Sequence, residues 1–399
     1  MNDLLFLAHR IPYPPNKGDK MRSWHMVKHL AQNWRIHLGA FVDDPTDWQH
    51  RPVLEKVCAD ICLRPLDARA GKVRALSGLL TGKALTLPYY QDATLDRWVQ
   101  DKLNSGIRAV VVFSSAMAQF VIHAKGVVRI MDFVDIDSDK WTQYAPTKTW
   151  PLSWIYAREG RKLLEWERQV AQAFDASLFV SPVEARDFRT MAPESAHKVS
   201  HFNQGVDTDY YSPEHHFESP FPAEIKPIVF TGAMDYWPNV DAVTYFKHDV
   251  MPRILAREPR ARFYIVGARP TPAVQALADD TTMVTGRVPD TRPYVAHAAA
   301  VVAPLRIARG IQNKVLEGCA MAKTVVVSPQ ALEGISAQAG AEVLLANTPA
   351  EQAERVLEAF SGQDCGAAAR QRILAEYTWA PNLAKLDVLL QPARQGGPA

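Results

Sequence analysis

The stretch LRIARGIQNKVLEGCAMAKTVVVS, Leu305–Ser328, decides how the chain is read. A β-branched apolar run, Ala299–Pro304, precedes it and a second, Thr324–Val327, closes it, so the residues between are expected to form the crossover helix that joins two parallel strands. Val315, Leu316, Cys319 and Ala320 recur at helical spacing and should face the sheet, while Asn313 and Glu317 share another face with Lys314 on its flank. The pattern starts this helix near Gly310, where unpaired backbone N–H groups and the positive dipole end attract an anion; Arg306 and Arg309 lie just before it. Glu317 would then sit about seven residues, or ~10 Å, along the axis, which suits a carboxylate holding ribose hydroxyls while a diphosphate occupies the helix start. An ordinary amphipathic crossover helix with solvated Asn, Lys and Glu has the same local pattern.

The same alternation extends in both directions. Leu4–Ala8, Ile36–Phe41, Ala109–Phe113, Val127–Met131 and Ser177–Val180 read as one set of strands. Ile228–Thr231, Arg262–Val266, Thr282–Thr285, Ala299–Pro304, Thr324–Val327 and Val343–Ala346 read as a second. Two successive parallel-strand sets predict two doubly wound α/β domains. Pro45–Leu103 reads as mostly helical with breaks at Pro65 and Pro88, Arg158–Phe174 as a long amphipathic helix, and Ser181 with Glu184 as a capping box. Lys198–Asn203 resembles a further strand, and the proline-rich polar segment 205–227 suits a linker. The expected domains are residues 1–197, 198–376 and a C-terminal helix in 377–399 that returns to the first domain, with the tail PARQGGPA disordered.

With 47% hydrophobic and 22% charged residues in 399, the chain is expected to be well packed, and a net charge of +2 is too mild to mark a nucleic-acid partner. The four cysteines, Cys58, Cys62, Cys319 and Cys365, show no paired zinc spacing and read as reduced thiols; Cys58 and Cys62 would share a helix face, and no metal is expected. The start MNDLLFLAHR lacks a basic, cleavable leader pattern, and no apolar run reaches the ~18 residues that span a bilayer, so a cytoplasmic protein is expected. From Arg64 to Tyr90, Arg69, Lys72, Arg74 and Lys83 mix with Leu76, Leu79, Leu80, Leu85 and Leu87, a composition that fits either a solvated surface helix or a peripheral contact with the inner membrane. Within it GLLTGKA lacks the glycine spacing, the Ser or Thr and the preceding strand of a phosphate loop.

Two loops at strand ends carry polar groups. After Leu4–Ala8, HRIPYPPNKGDKMR brings Gly18, Asp19, Lys20 and Arg22 to a helix start at the sheet's carboxyl edge, where open α/β sheets bind ligands. After Val127–Met131, DFVDIDSDKW supplies Asp132, Asp135, Asp137 and Asp139; Asp135 and Asp137 are candidates to orient or deprotonate an acceptor hydroxyl, although helix capping uses the same residues. The spacing lacks the turn glycine and distal Glu of a calcium loop. No G-x-G-x-x-G follows any strand, which argues against a nicotinamide or flavin fingerprint.

The order of SPVEARDF, NQGVDTDYYSP, VFTGAMDYWPN, IVGARP, TGRVPD and the Leu305–Ser328 stretch resembles the retaining, family 4-type glycosyltransferases of the GT-B fold, close to the sugar transferases found with exosortase A and PEP-CTERM exopolysaccharide systems. The resemblance implies two Rossmann-like domains facing each other across a cleft, with a nucleotide sugar held by the second and an acceptor by the first. It implies that Gly232 and Ala233 line the diphosphate or sugar, that Arg287 and Val288 pass the base, that Gly310 and Ile311 offer amides to the phosphates, and that Glu317 binds ribose. Gly18 and Asp19 match the family's N-terminal loop. Two departures stand out. Arg309 occupies the place of the first Glu of the family's Glu-x7-Glu pattern, and Tyr236, Trp237 and Pro238 replace its usual basic pair. Arg306, Arg309 and Lys314 are therefore expected to neutralise the phosphates instead. The expected activity is transfer of a sugar from a nucleotide-diphosphate donor to a glycan or polyprenyl-linked acceptor without metal or other cofactor. A nucleotide-sugar 2-epimerase and a non-catalytic nucleotide-sugar-binding protein are the alternatives on the same fold.

Overall fold

The computed structural model describes residues 1–308 and 310–391. The chain divides into two compact units, one formed by Met1–Gln204 together with the residues from Ala380 on, the other by Gly205–Trp379.

The first unit is built on seven strands, β1 (Asn2–Ala8), β2 (Trp34–Val42), β3 (Asp60–Pro65), β4 (Ala109–Phe113), β5 (Val128–Val134), β6 (Ala176–Phe179) and β7 (Val199–His201). Their order is β3-β2-β1-β4-β5-β6-β7, with every neighbouring pair parallel. Leu4 to Ala8 and Val110 to Val112 are wholly buried because helices cover both faces, which is why these strands read as unbroken apolar runs. The second unit has β8 (Lys226–Thr231), β9 (Ala261–Val266), β10 (Thr282–Gly286), β11 (Ala300–Ala303), β12 (Val325–Val327) and β13 (Leu344–Leu345), in the parallel order β10-β9-β8-β11-β12-β13. Strand order reverses between β1 and β4 in one sheet and between β8 and β11 in the other. Loops leaving the carboxyl ends at such a reversal splay apart and leave a crevice.

Four expectations are corrected. The 45–103 region is not helical throughout, because DICLRP forms β3; it has a single strand neighbour and is only partly buried, so its apolar signal is weak. Cys62 lies in that strand, so it shares no helix face with Cys58; all four thiols are free, and burial pushes those of Cys58 and Cys319 up to about 12. The units part after Gln204 and Trp379 rather than after residues 197 and 376, since β7 completes the first sheet. Ser181 caps its helix by accepting from the Glu184 N–H, whereas the Glu184 carboxylate accepts from Ile136 N at 3.0 Å.

The helix Trp379–Leu389 returns to the first unit. Asn382 Oδ1 accepts from Asn203 N (3.0 Å), Lys385 donates to the His201 carbonyl (3.2 Å), and Asp387 meets His29 (2.8 Å). PARQGGPA lies outside the described residues. No described helix is long and apolar enough to cross a membrane.

Glu167, on the helix Leu152–Ala173, is fully buried and accepts from Ser138 N (3.2 Å) and Ser138 Oγ (2.5 Å). Burial pushes its carboxyl up to about 8, with the charge of Asp137 adding to the effect. The unfolded group ionises near its ordinary 4.5 while the folded one stays protonated, so this site costs stability progressively as pH rises from 4.5 through about 8. Glu167→Gln keeps the acceptor oxygen and removes the titration. We expect urea melts of the variant to match the wild type near pH 5 and to exceed it by a few kcal/mol near pH 8.5.

Candidate functional site

In the first unit a cavity of about 730 Å³ lies at the carboxyl ends of β1, β4 and β5. Its walls are mostly apolar, among them Leu85, Tyr90, Phe133 and Trp141, and its polar lining includes His9, Asp19, Asp135, Asp137 and Lys140. His9 follows β1, stacks on Phe113 with ring centroids 5.8 Å apart, and places Nε2 3.3 Å from Asp19 Oδ2. Burial pushes the Asp19 carboxyl up, but the hydrogen bond from His9 and the charge of Arg10 outweigh it and hold it well below the usual carboxylate range. Lys140 Nζ bridges Asp135 (2.8 Å) and Asp137 (3.1 Å); burial opposes its charge, yet the two carboxylates keep its pKa well above the ordinary value. Asp135 Oδ1 and His9 Nδ1 are both buried without a hydrogen-bond partner. Buried polar atoms are seldom left so, and a ligand hydroxyl would complete them.

The backbone that aims Asp135 is strained. Val134 has φ +70° and Ser114 φ +76°, left-handed conformations rare for residues with a Cβ and an outlier for a β-branched one. Asp132 holds the segment: its Oδ1 accepts from Val134 N at 3.1 Å, and its carbonyl accepts from Ser114 N at 2.9 Å. Arg22 in turn donates to Asp132 from Nε (2.8 Å) and Nη2 (3.3 Å) and to the Phe202 carbonyl from Nη1 (3.1 Å), its guanidinium 3.5 Å from the Phe202 ring centroid.

In the second unit the loops after β8 and β11 flank the strand reversal. Gly232 and Ala233 follow β8; a Cβ on Gly267, after β9, would lie 1.7 Å from the Gly232 oxygen, so the two loops approach too closely for a side chain. Gly310, with φ +65°, turns the chain ahead of the helix Asn313–Ala320. Lys314 is 9% exposed; its Nζ donates to Asn239 Oδ1 (2.7 Å) and lies 4.4 Å from the Phe230 ring centroid, and Asn239 Nδ2 donates to the Ala233 carbonyl (2.9 Å). Among the described residues no carboxylate is within ion-pair distance of that ammonium. Burial pushes Lys314 down to about 7 against the charge of Glu317. It pushes Glu317 up to about 7, against a hydrogen bond with Tyr211 and the charge of Lys314. A buried cation beside two glycine-containing loops, with no carboxylate in ion-pair reach among the described residues, is an arrangement able to take an anion.

The structure rearranges several sequence expectations. The helix starts at Asn313 rather than Gly310, because Gly310 takes the left-handed turn and Gln312 is the N-cap; Glu317 is therefore about one turn in, or ~6 Å, not ~10 Å. Val315, Leu316, Cys319 and Ala320 do face the core. Arg306 is committed to Asp241, with Nε 3.0 Å from Oδ2, and stacks over Tyr245. Arg309 lies outside the described residues. Gly310, Ile311, Asn313, Lys314 and Glu317 fall on one connection, with Gly232 and Ala233 across the reversal, while exposed Arg287 and half-buried Val288 follow β10, two strands away. In the first unit Gly18 begins the helix Gly18–Leu30 and Asp19, Asp135 and Asp137 line the cavity. Lys20 and Arg22 do not: they are buried in ion pairs with Asp47 and Asp132, since the helix turns those positions into the unit. His9, Lys140, Asn239 and Tyr211 were missed. Tyr211 stood in a segment read as linker, and the others gain meaning only from their partners.

Residues 225–361, which contain all six strands of the second sheet and every donor-side residue predicted above, match the model of the family Glycosyl transferases group 1. Over the whole chain the structure is similar to sucrose-phosphate synthase from Thermosynechococcus elongatus (13% identity, 99% of this chain and 100% of that one, TM-score 0.73). It is likewise similar to Anabaena Alr3699/HepE in complex with UDP and glucose (13%, 98% and 100%, 0.68) and to an alpha,alpha-trehalose-phosphate synthase (UDP-forming) from Burkholderia vietnamiensis (14%, 99% and 100%, 0.62). No curated protein sequence matches the chain. The two parallel-sheet units have the fold of GT-B glycosyltransferases. With the matched domain on the second unit, the chain is a glycosyltransferase.

Proposed function

We propose that the protein transfers a sugar from a nucleoside-diphosphate donor to a hydroxyl of a glycan or polyprenyl-linked glycan, with retention, in exopolysaccharide assembly. The observation that carries the donor half is Lys314, a buried ammonium without an ion-pair partner among the described residues, inside the matched domain. Its charge, with the amides of Gly310 and Ile311, stabilises the departing diphosphate, and Glu317 with Tyr211 takes the ribose. No metal requirement is expected, because the Lys314 ammonium supplies positive charge to the diphosphate. In the first unit Asp135 Oδ1 accepts the acceptor hydroxyl, and the apolar cavity wall seats the remainder of that molecule. Retention and the exopolysaccharide role rest on the family resemblance. HepE binds UDP and UDP-glucose, so uridine nucleotides are the first donors to test. Such an enzyme works in the cytoplasm, peripherally on the inner membrane.

Calorimetric titration with UDP-, GDP- and ADP-sugars in the presence of EDTA tests this. One nucleotide class should bind, and Glu317→Ala should weaken that binding about 10-fold, the size of one lost ribose hydrogen-bond pair. Absence of binding by all three, or an unaltered affinity in the variant, overturns the donor site.

A further inference from the structure

We propose that the first unit docks on an anionic lipid bilayer through the face formed by the helices Ala68–Ala75 and Ser77–Thr81 together with residues 148–154. Val73, Leu76, Leu80, Trp150 and Trp154 are exposed there, Leu80 at 92% and Trp150 at 82%. The two segments form one surface because the helix Leu152–Ala173 is fastened to the 77–86 region. Arg158 donates to the carbonyls of Gly78 (2.8 Å) and Lys83 (3.2 Å), and Glu159 accepts from the N–H groups of Leu85 (2.6 Å) and Thr86 (2.9 Å). Trp154 is one turn before Arg158 on the same side of its helix.

Charge chooses the occupant. No Asp or Glu occurs between Asp67 and Asp92 or between Asp139 and Glu159, whereas Arg69, Lys72, Arg74, Lys83 and Lys148 are all exposed. Grouped apolar side chains are rare on a surface that stays in water, tryptophan favours the headgroup level, and basic residues beside it select anionic lipid. Leu76 and Lys72 belong at once to this face and to the wall of the 730 Å³ cavity, so a docked unit would open its acceptor cavity beside the bilayer.

The inference deepens the membrane contact proposed above, and vesicle binding is read without donor or acceptor, so failure of either leaves the other standing. The full chain is sedimented with vesicles of phosphatidylcholine alone or mixed with phosphatidylglycerol. Binding to the mixed vesicles should exceed that to the neutral ones about 10-fold and fall with added salt. Leu80→Ser/Trp150→Ser and Arg69→Glu/Lys83→Glu should each lose about 10-fold of it while circular dichroism and UDP binding stay as in the wild type. Wild-type protein that ignores the mixed vesicles, or variants that bind them equally well, overturn the proposal. So does wild-type protein that dimerises in sedimentation and is made monomeric by Leu80→Ser/Trp150→Ser without any vesicle binding, because the face would then belong to a second copy.

Discussion

Lys314→Met is expected to lower affinity for a nucleoside diphosphate about 100-fold, the loss of one buried charge-assisted contact, ~2–3 kcal/mol. Methionine matches the length of the lysine stem, so packing against Phe230 is kept while the ammonium and its bond to Asn239 are lost. Burial has already pushed the lysine down to about 7, and an arriving diphosphate would restore its charge. Donor binding should therefore weaken as pH climbs above neutrality in the wild type, and the variant should lose that decline. Stability moves the other way. The unfolded lysine titrates near 10.5, so burying it costs most below pH 7 and the cost fades as pH rises toward 10.5. The variant should consequently gain on the wild type as pH falls from 10 to 7 in urea melts. Unchanged UDP affinity by calorimetry would place the phosphates elsewhere.

Arg22→Ala should destabilise the first unit by about 3–5 kcal/mol, the usual loss when one member of a buried ion pair is deleted. Both Arg22 and Asp132 are 0% exposed, so the carboxylate left behind has no water to turn to. Burial already pushes Asp132 up against the charge of Arg22; without that charge it takes up a proton more readily, and the deficit should be smaller at pH 5 than at pH 8. Asp132→Asn added to Arg22→Ala removes the unpaired charge and should recover part of the loss. Because Asp132 also holds Val134 in its left-handed conformation, residual Arg22→Ala activity should show a reduced kcat with donor binding intact. A variant as stable as wild type, or one whose donor affinity falls with its kcat, contradicts this.

The parallel sheets were legible because strands covered on both faces must be apolar throughout: AVVVF is predicted and observed as Ala109–Phe113. β3 was not, since an edge strand tolerates Asp60 and Arg64. The polar loops at the carboxyl ends of the strands were legible as places where chemistry could gather, and Asp135, Lys314 and Glu317 were named there. Which charges are available was beyond the sequence. Lys20 and Arg22 look like ligand-facing cations beside Gly18, yet their partners, Asp47 and Asp132, are 27 and 110 residues away in the chain. The start of the crossover helix was misplaced for a local reason: a glycine before a helical pattern fits an N-terminus as well as a left-handed turn, and only the backbone angle distinguishes them.

The polypeptide leaves the first unit once, after Gln204, and re-enters it once, after Trp379. The second unit is thus an insertion, contiguous in sequence, whereas the first is stitched from two pieces joined through Asn203 and Asn382, His201 and Lys385, and His29 and Asp387. A chimera that exchanges the second unit needs two junctions, and a fragment stopped at the first would lack the segment to which those three residues bind.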